Sequence, residues 1–180
     1  FPTHWLVRGL PPFDSAKLLA ACEKDFTLAG KASREESQAA LEEAYQQGKH
    51  AFALYDGAAW TLLTLKDPAV MDGLLPGMSQ AYRELDVSIL HNLVLERLLG
   101  IDKENMANQK NLTYTRSAQE AEESVRAGES QCCFLLNPTR VEEIGQVAAF
   151  GEKMPQKSTY FYPKLITGLV MNDLEDPAGL

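Results

Sequence analysis

The sequence predicts an α/β domain in which helices pack on a mixed sheet that includes an antiparallel hairpin, with an α+β arrangement as the alternative. Short apolar, β-branched segments alternate along the chain with segments of helical periodicity. Residues that typically cap helices precede most of the helical segments. Asp56-Gly57 separates two apolar segments, which predicts a hairpin closed by a type I′ turn. The chain has 180 residues and no tandem repeat, so we expect one domain over residues 1–180.

The first half of the chain begins with a strand and then a capped helix. Residues 3–7 are aromatic and β-branched and predict the strand, and Asp14 predicts the N-cap of the helix. Residues 26–29 predict a second short strand. A capping box that starts at Ser33 predicts a longer helix, which Gly48 ends in a left-handed turn. The two hairpin strands follow.

The second half contains one strongly apolar helix between two irregular regions. Residues 66–77 hold two glycines and two prolines and predict a loop with at most one helical turn. Asp86 opens a helix that is apolar around most of its circumference and ends at Gly100, so we expect it to be buried. Residues 103–111 are polar and predict a loop. The remaining predicted elements are strand 112–116, a helix capped by Ser117, strand 131–137, a helix capped by Thr139 with Glu142, and strand 165–171.

Charge and hydropathy exclude two classes of partner. The net charge is −8, from 25 acidic and 17 basic residues, and no stretch of the chain concentrates Lys and Arg. A surface that follows phosphate groups or an anionic membrane needs such a concentration, so we expect no nucleic-acid partner and no membrane partner. No apolar run approaches the roughly 20 residues of a membrane-spanning helix.

The three cysteines indicate a reducing compartment. Cys132 and Cys133 are neighbours in a predicted strand, where adjacent side chains point to opposite faces and cannot easily bond to each other. Cys22 has no obvious partner. Reduced thiols and a cytoplasmic location are the simplest interpretation.

The segment MPQKSTYFYPK, residues 154–164, is the candidate ligand site. Two prolines bracket Lys157, Ser158 and Thr159, whose ammonium, hydroxyl and backbone amide groups predict binding of an anion or a phosphate. The alternative is that the aromatic residues 160–162 fill the core and that Lys157 and Ser158 face water. The glycines of a phosphate-binding P-loop are absent.

The histidines do not identify a catalytic group. His4, His50 and His91 have no second ligand at the spacing of a metal site, so we expect no metal. His4 and His91 are interpreted as half-buried packing residues, and His50 as an exposed residue at the start of a hairpin strand. Ser158 could join a histidine and an aspartate in space, but no G-x-S-x-G motif supports this. The catalytic residues are therefore not assigned.

The most distinctive stretch of the chain is VEEIGQVAAFGEKMPQKSTYFYPKLITGLVMNDL, with MPQKSTYFYPKL as its most specific part. Three other stretches are ILHNLVLERLLGI, LTYTRSAQEAEESVRAG and FPTHWLVRGLPPFD. Together they resemble a family of uncharacterised prokaryotic proteins, domain-of-unknown-function family 1015, over nearly all of the chain. Lys157, Ser158 and Thr159 match the family string position by position. One departure is Thr3-His4-Trp5, where the family tends to show Thr-His-Arg, and it weakens an anion-binding role for that stretch.

The resemblance implies that this chain is the C-terminal portion of a longer protein. Full-length members are similar upstream to ParB and sulfiredoxin, and carry a His-rich motif that also resembles free-serine kinases. The whole protein would then be a small-molecule phosphotransferase, while this chain alone would not be active. The leading hypothesis is that the chain completes the phosphate or nucleotide site of the upstream domain, with Lys157 as the anion contact. The alternative is a non-catalytic packing or homo-oligomerisation domain.

Overall fold

The computed structural model describes residues 3–10 and 13–153, and the strands in this part form one six-stranded sheet. The strands are β1 (His4–Val7), β2 (Phe26–Lys31), β3 (Ala51–Tyr55), β4 (Trp60–Leu65), β5 (Leu112–Thr115) and β6 (Cys132–Leu136). Their spatial order is β2-β4-β3-β6-β1-β5. The predicted α/β fold class, a sheet with helices packed on it, is confirmed. The prediction of a mixed sheet is wrong for the described strands, because every pairing between these strands is antiparallel.

Helices connect the strands and cover both faces of the sheet. They are α1 (Ser15–Cys22), α2 (Arg34–Gln46), α3 (Val70–Leu74), α4 (Gln80–Arg83), α5 (Asp86–Ile89), α6 (Arg97–Leu99), α7 (Lys103–Asn108), α8 (Ala118–Arg126) and α9 (Val141–Ala149). A π-helix, Leu90–Glu96, joins α5 to α6. Residues 86–99 are therefore one continuous helix. Within the described ranges, no helix combines the length and the apolar content that crossing a membrane requires.

Two hydrophobic clusters lie on opposite faces of the sheet. On β6, Cys132 and Phe134 belong to the cluster beneath α1 and helix 86–99, whereas Cys133 and Leu135 belong to the cluster beneath α2 and α8. This alternation follows from the two-residue period of a strand. All three cysteines are buried and free. The sheet is thus the middle of three layers, and the adjacent thiols point into different layers.

The predicted hairpin is confirmed, but its predicted turn type is wrong. Strands β3 and β4 pair in register from Ala51 opposite Thr64 to Tyr55 opposite Trp60, so the loop spans residues 56–59. Gly57 has a φ of 93°, but Asp56 does not adopt the positive φ that a type I′ turn needs. Instead, the Oδ1 atom of Asp56 accepts bonds from the backbone amides of Ala58 and Ala59, each at 2.9 Å. Side-chain bonding of this kind stabilises a longer loop.

The predicted N-caps of α1, α2 and α8 are confirmed, whereas that of α9 is not. Asp14, Ser33 and Ser117 each accept hydrogen bonds from backbone amides of the first helical turn, as predicted. The predicted cap of α9 at Thr139 is wrong, because the helix begins one residue later. There the Glu143 carboxylate accepts a bond from the backbone amide of Arg140 at 2.8 Å.

Of the two predicted irregular regions, one is more ordered than expected. Residues 66–77 contain only the short helix α3, as predicted. Residues 103–111 instead include α7, which is wrongly predicted as a loop. Asp102 caps this helix by accepting a bond from the amide of Asn105 at 2.8 Å, and Met106 is buried against the core. One buried apolar residue in a polar sequence is therefore sufficient to hold α7 against the core.

The apolar helix over residues 86–99 is buried, as predicted. Ile89, Leu90, Leu93 and Leu95 are inaccessible to solvent, and Gly100 ends the helix with a φ of 73°. The π-helical segment widens the middle of this helix. Its start at Asp86 lies beside the cleft described next.

Candidate functional site

A cleft of about 550 Å³ opens where β3 begins and β6 ends. A volume of this order is typical of small-molecule sites. The turn after α2, helix α4, the start of α5, and α9 with the residues that lead into it meet there. The charged and imidazole side chains of the lining are Lys49, His50, Glu84, Asp86, Arg140 and Glu143. The cleft therefore brings together acids and bases from four separate parts of the chain.

The local sequence explains how two of these residues reach the cleft. Gly48 ends α2 with a φ of 73°, and the backbone amide of Lys49 then bonds to the carbonyl of Ala44 at 2.9 Å. This reversal, which favours glycine, turns the chain towards β3 and places His50 at the edge of the sheet. Asp86 lies in the first turn of α5, where a carboxylate is stabilised by the positive end of the helix dipole.

His50 and Asp86 form the central pair of the cleft. The Nδ1 atom of His50 lies 2.7 Å from Oδ1 of Asp86, and the two side chains are 17% and 19% exposed. The prediction that His50 is exposed is therefore wrong, because the neighbouring helices cover its ring. Burial alone would lower the pKa of His50. The hydrogen bond and charge of Asp86, with the charges of Glu84 and Glu143, outweigh burial and raise the pKa above its ordinary value.

Glu143 is the second titratable residue of the cleft, after His50, whose pKa is shifted. Burial raises its pKa, and the charge of Asp86 adds to this rise. The backbone amide of Arg140, which bonds to the carboxylate, and the charge of His50 oppose it. The pKa of an acid and that of a base in the same cleft are thus both moved upward. Groups with perturbed pKa values in a cleft are typical of functional sites.

Arg140 is held in place at the wall of the cleft. Its guanidinium carbon lies 3.8 Å from the centre of the Tyr45 ring, and its Nη2 atom donates to the carbonyl of Tyr45. Two interactions stabilise this guanidinium: attraction to the face of the aromatic ring, and attraction to the negative end of the helix dipole at the last turn of α2. Residue 140 has extended backbone angles and is the N-cap of α9, so that helix starts at Val141. Lys49, in contrast, is exposed.

The His50–Asp86 pair is suited to proton transfer. Asp86 engages Nδ1, so Nε2 is the ring nitrogen left for a ligand in the cleft. A carboxylate that orients a histidine in this way also stabilises the imidazolium that forms when Nε2 takes up a proton. Sequence reasoning missed the pair because 36 positions separate the two residues. The one local signal was an acidic residue at a predicted helix start, which capping explains equally well.

The residues predicted as the anion site, Lys157, Ser158 and Thr159, lie outside the described part of the chain. So do the aromatic residues 160–162 and the predicted last strand, residues 165–171. The described chain ends at Lys153, close to the cleft. Phe150 lines the cleft, and the carboxylate of Glu152 accepts a bond from the amide of Ser79 at 2.8 Å.

The other two histidines are packing residues, as predicted, although both are buried rather than half-buried. His4 accepts a bond from the backbone amide of Leu136 at its Nδ1 atom at 3.1 Å, and burial lowers its pKa to about 4. Burial also lowers the pKa of His91, whose Nε2 atom has no hydrogen-bond partner among the described residues. Over the same residues, no three His, Cys, Asp or Glu side chains form a group that could hold a metal ion.

Comparison with known proteins does not identify the chain. No protein-family model matches it, and no curated protein matches it. A solved structure of a conserved hypothetical protein from Pyrococcus furiosus is similar to it at 17% identity, with a TM-score of 0.49. That similarity covers 89% of this chain and 54% of the other, so the chain spans about half the length of that protein. Membership of domain-of-unknown-function family 1015 stays a prediction.

Proposed function

We propose that this chain is a C-terminal domain that binds a small anionic molecule, such as a phosphate compound or a nucleotide, and completes the ligand site of an upstream domain. The observation that carries the proposal is the His50–Asp86 pair, which opens into a cleft of ligand size beside Arg140. The whole protein would be a small-molecule phosphotransferase related to ParB-like and free-serine-kinase-like proteins. The three free, buried thiols are consistent with a cytoplasmic location.

The predicted anion site follows the cleft closely in sequence, because Lys157 comes seven positions after Phe150, which lines the cleft. We propose that Lys157, Ser158 and Thr159 supply anion contacts, together with Lys49 and Arg140 of the cleft.

The proposed role of His50 is proton transfer to or from the bound molecule. When Nε2 is unprotonated, it can accept the proton of a ligand hydroxyl group, while Asp86 stabilises the resulting positive charge. When protonated, the ring adds a positive charge opposite the anionic group of the ligand. The raised pKa of His50 shifts the balance towards the second state, compared with an ordinary histidine. The same residue thus couples ligand binding to proton uptake.

Calorimetric titration with inorganic phosphate and with ATP tests the proposal. We expect Lys157→Ala and His50→Gln to weaken binding about tenfold or more, since each removes a charged hydrogen-bonding group. Lys110→Ala is the matched control, because Lys110 is exposed and does not line the cleft. In the full protein, Lys157→Ala should also lower activity. Full retention of binding and activity in both variants would overturn the proposal.

The second candidate function is a non-catalytic packing or homo-oligomerisation domain. It is favoured by two exposed apolar side chains, Val141 and Phe150, which are 78% and 67% exposed at the two ends of α9. We then expect Tyr160→Ala or Phe161→Ala to change the oligomeric state in analytical ultracentrifugation. Under this alternative, Lys157→Ala would leave ligand binding and assembly unchanged.

A further inference from the structure

A second cavity, of about 410 Å³, lies at the opposite end of β3 from the cleft. It forms where β2 ends, where α2 begins, and around the hairpin loop, with α8 as its fourth wall. Its lining comes from residues 31–35, 55–60 and 122–126, all of which the structure describes. It shares no lining residue with the cleft. It is therefore a separate feature from the proposed His50 site.

This second cavity has a small excess of positive charge within an acidic protein. Three cationic residues, Lys31, Arg34 and Arg126, line it against two carboxylates, Glu35 and Glu122. The whole chain has a net charge of −8. Because the chain as a whole repels anions, an excess of cations in one concave place concentrates anions there.

Glu122 fixes the orientation of both arginines. Its side chain is only 8% exposed, and its two carboxylate oxygens accept bonds from Nη1 of Arg34 at 2.6 Å and from Nη2 of Arg126 at 3.0 Å. The Nε atom of Arg126 also donates to the hydroxyl of Tyr55 at 3.2 Å, and that hydroxyl in turn lies 3.3 Å from the carbonyl of Gly57. A guanidinium held by several bonds loses little further freedom when it binds a ligand.

Donor groups remain for a ligand after these bonds are made. Glu122 and Tyr55 engage Nη2 and Nε of Arg126, whose side chain is 64% exposed, and its Nη1 group is not used by these two bonds. Lys31 contributes an ammonium group to the same lining. Guanidinium groups match the geometry of oxyanions and bind phosphate through paired, charge-assisted hydrogen bonds. The volume exceeds that of a single phosphate ion, so a phosphate group carried by a small molecule fits the cavity.

We propose that this second cavity binds the phosphate group of a small molecule through Arg126 and Lys31. Arg34 is already bonded to two carboxylates, through Nη1 to Glu122 and through Nη2 to Glu35 at 3.3 Å, so it holds Glu122 in place. Glu122 acts as a positioning residue that presents the guanidinium group of Arg126. The site is independent of the proposed function of the cleft, because the two cavities share no residue. It adds a phosphate-binding position on the other side of the domain.

Titration with inorganic phosphate and pyrophosphate, followed by amide chemical shifts in NMR and by calorimetry at low salt, tests this inference. We expect the shifts to concentrate at residues 31–35 and 122–126. Arg126→Ala and Lys31→Ala should each raise the dissociation constant about tenfold or more, as expected for loss of a charged hydrogen bond. Arg126 is 64% exposed, so its replacement should leave the fold intact, which circular dichroism checks.

Lys110→Ala is again the matched control, since it removes the same charge from an exposed position that does not line the cavity. Its dissociation constant should stay within about twofold of the wild-type value, because a distant exposed charge is screened. Three results would overturn the inference: no saturable phosphate binding, an equal loss of affinity in Lys110→Ala, or shifts that concentrate instead around Lys49 and Arg140. The last result would support the proposed function of the cleft and still exclude this second site.

Discussion

The cleft and the second cavity lie at opposite ends of α2 and β3. Each contains a partly buried carboxylate, and a different type of basic residue neutralises its charge in each place. Helix α2 is about 20 Å long and begins at Arg34 beside the second cavity. Its last turn, at Tyr45, borders the cleft. In the second cavity Glu122 pairs with two arginines, whose charge does not change with pH. In the cleft Asp86 pairs with a histidine, whose charge does.

The charges of the arginine network are therefore permanent, whereas the charge of the His50–Asp86 pair depends on pH. The arginine network keeps its charge throughout the physiological pH range, so we expect it to hold α2 against α8 at any such pH. The histidine pair loses one charge when His50 releases its proton. The cleft therefore holds a pair that can exchange a proton with a ligand, whereas the arginine network cannot.

Removal of Glu122 should have the largest effect on stability. Glu122→Ala leaves Arg34, which is mostly buried, without its partner in α8, and we expect a loss of about 2 kcal/mol in the free energy of unfolding. Glu123→Ala is the matched control, because the carboxylate of Glu123 is next to Glu122 in sequence but is exposed. This substitution should change the free energy of unfolding by less than about 0.5 kcal/mol. Urea denaturation measures both. Equal effects of the two substitutions would show that the network does not stabilise the fold.

Asp86→Asn should destabilise the protein less, and in a pH-dependent way. The folded state raises the pKa of His50, so the pair contributes its full stability below the unfolded pKa of about 6.5 and loses it as the pH rises through the folded value. We expect a loss of about 1–2 kcal/mol near pH 5 and a smaller loss near pH 8. His4 and His91 act in the opposite sense, because burial lowers their pKa values.

The measurement is therefore the difference in unfolding free energy between the wild type and Asp86→Asn across this pH range, since the contributions of the other histidines cancel in that difference. A difference that is constant with pH would mean that Asp86 acts only through its place in the first turn of α5. A difference that grows with pH would contradict the raised pKa of His50.

Glu84→Gln should have the smallest effect. Glu84 raises the pKa of His50 through charge alone, without a hydrogen bond to the ring. We expect this variant to lower the pKa of His50 by less than Asp86→Asn does, and to change stability by no more than about 0.5 kcal/mol. NMR titration of the His50 ring gives the first quantity, and urea denaturation the second. A larger fall in the pKa than Asp86→Asn produces would assign the main role to Glu84.

The features that the sequence predicted correctly are local ones. The cap at Ser33 and the hairpin around residues 56–59 depend on residues within a few positions of one another, and both are confirmed. Helix α7 was missed because its single apolar anchor, Met106, gives no periodic pattern. The cap predicted at Thr139 lies one residue later, at Arg140, whose backbone amide is bonded by the Glu143 carboxylate.

Neither candidate site could be predicted from the sequence, for the same reason. His50 and Asp86 are 36 positions apart, and Arg34 and Glu122 are 88 positions apart. Only the strand order of the sheet brings each pair together. The predicted candidate, Lys157 with its neighbours, was chosen because its polar groups are consecutive in sequence, which is the kind of site that a sequence reveals most readily.

An NMR titration of the three histidine rings, in the wild type and in Asp86→Asn, shows whether the cleft holds a histidine whose pKa is raised by its carboxylate partner. We expect His50 to titrate above its ordinary value of about 6.5, His4 to titrate at about 4, and only His50 to shift downward in Asp86→Asn. A His50 that titrates at or below its ordinary value in the wild type, or that is unchanged by the substitution, would contradict the account.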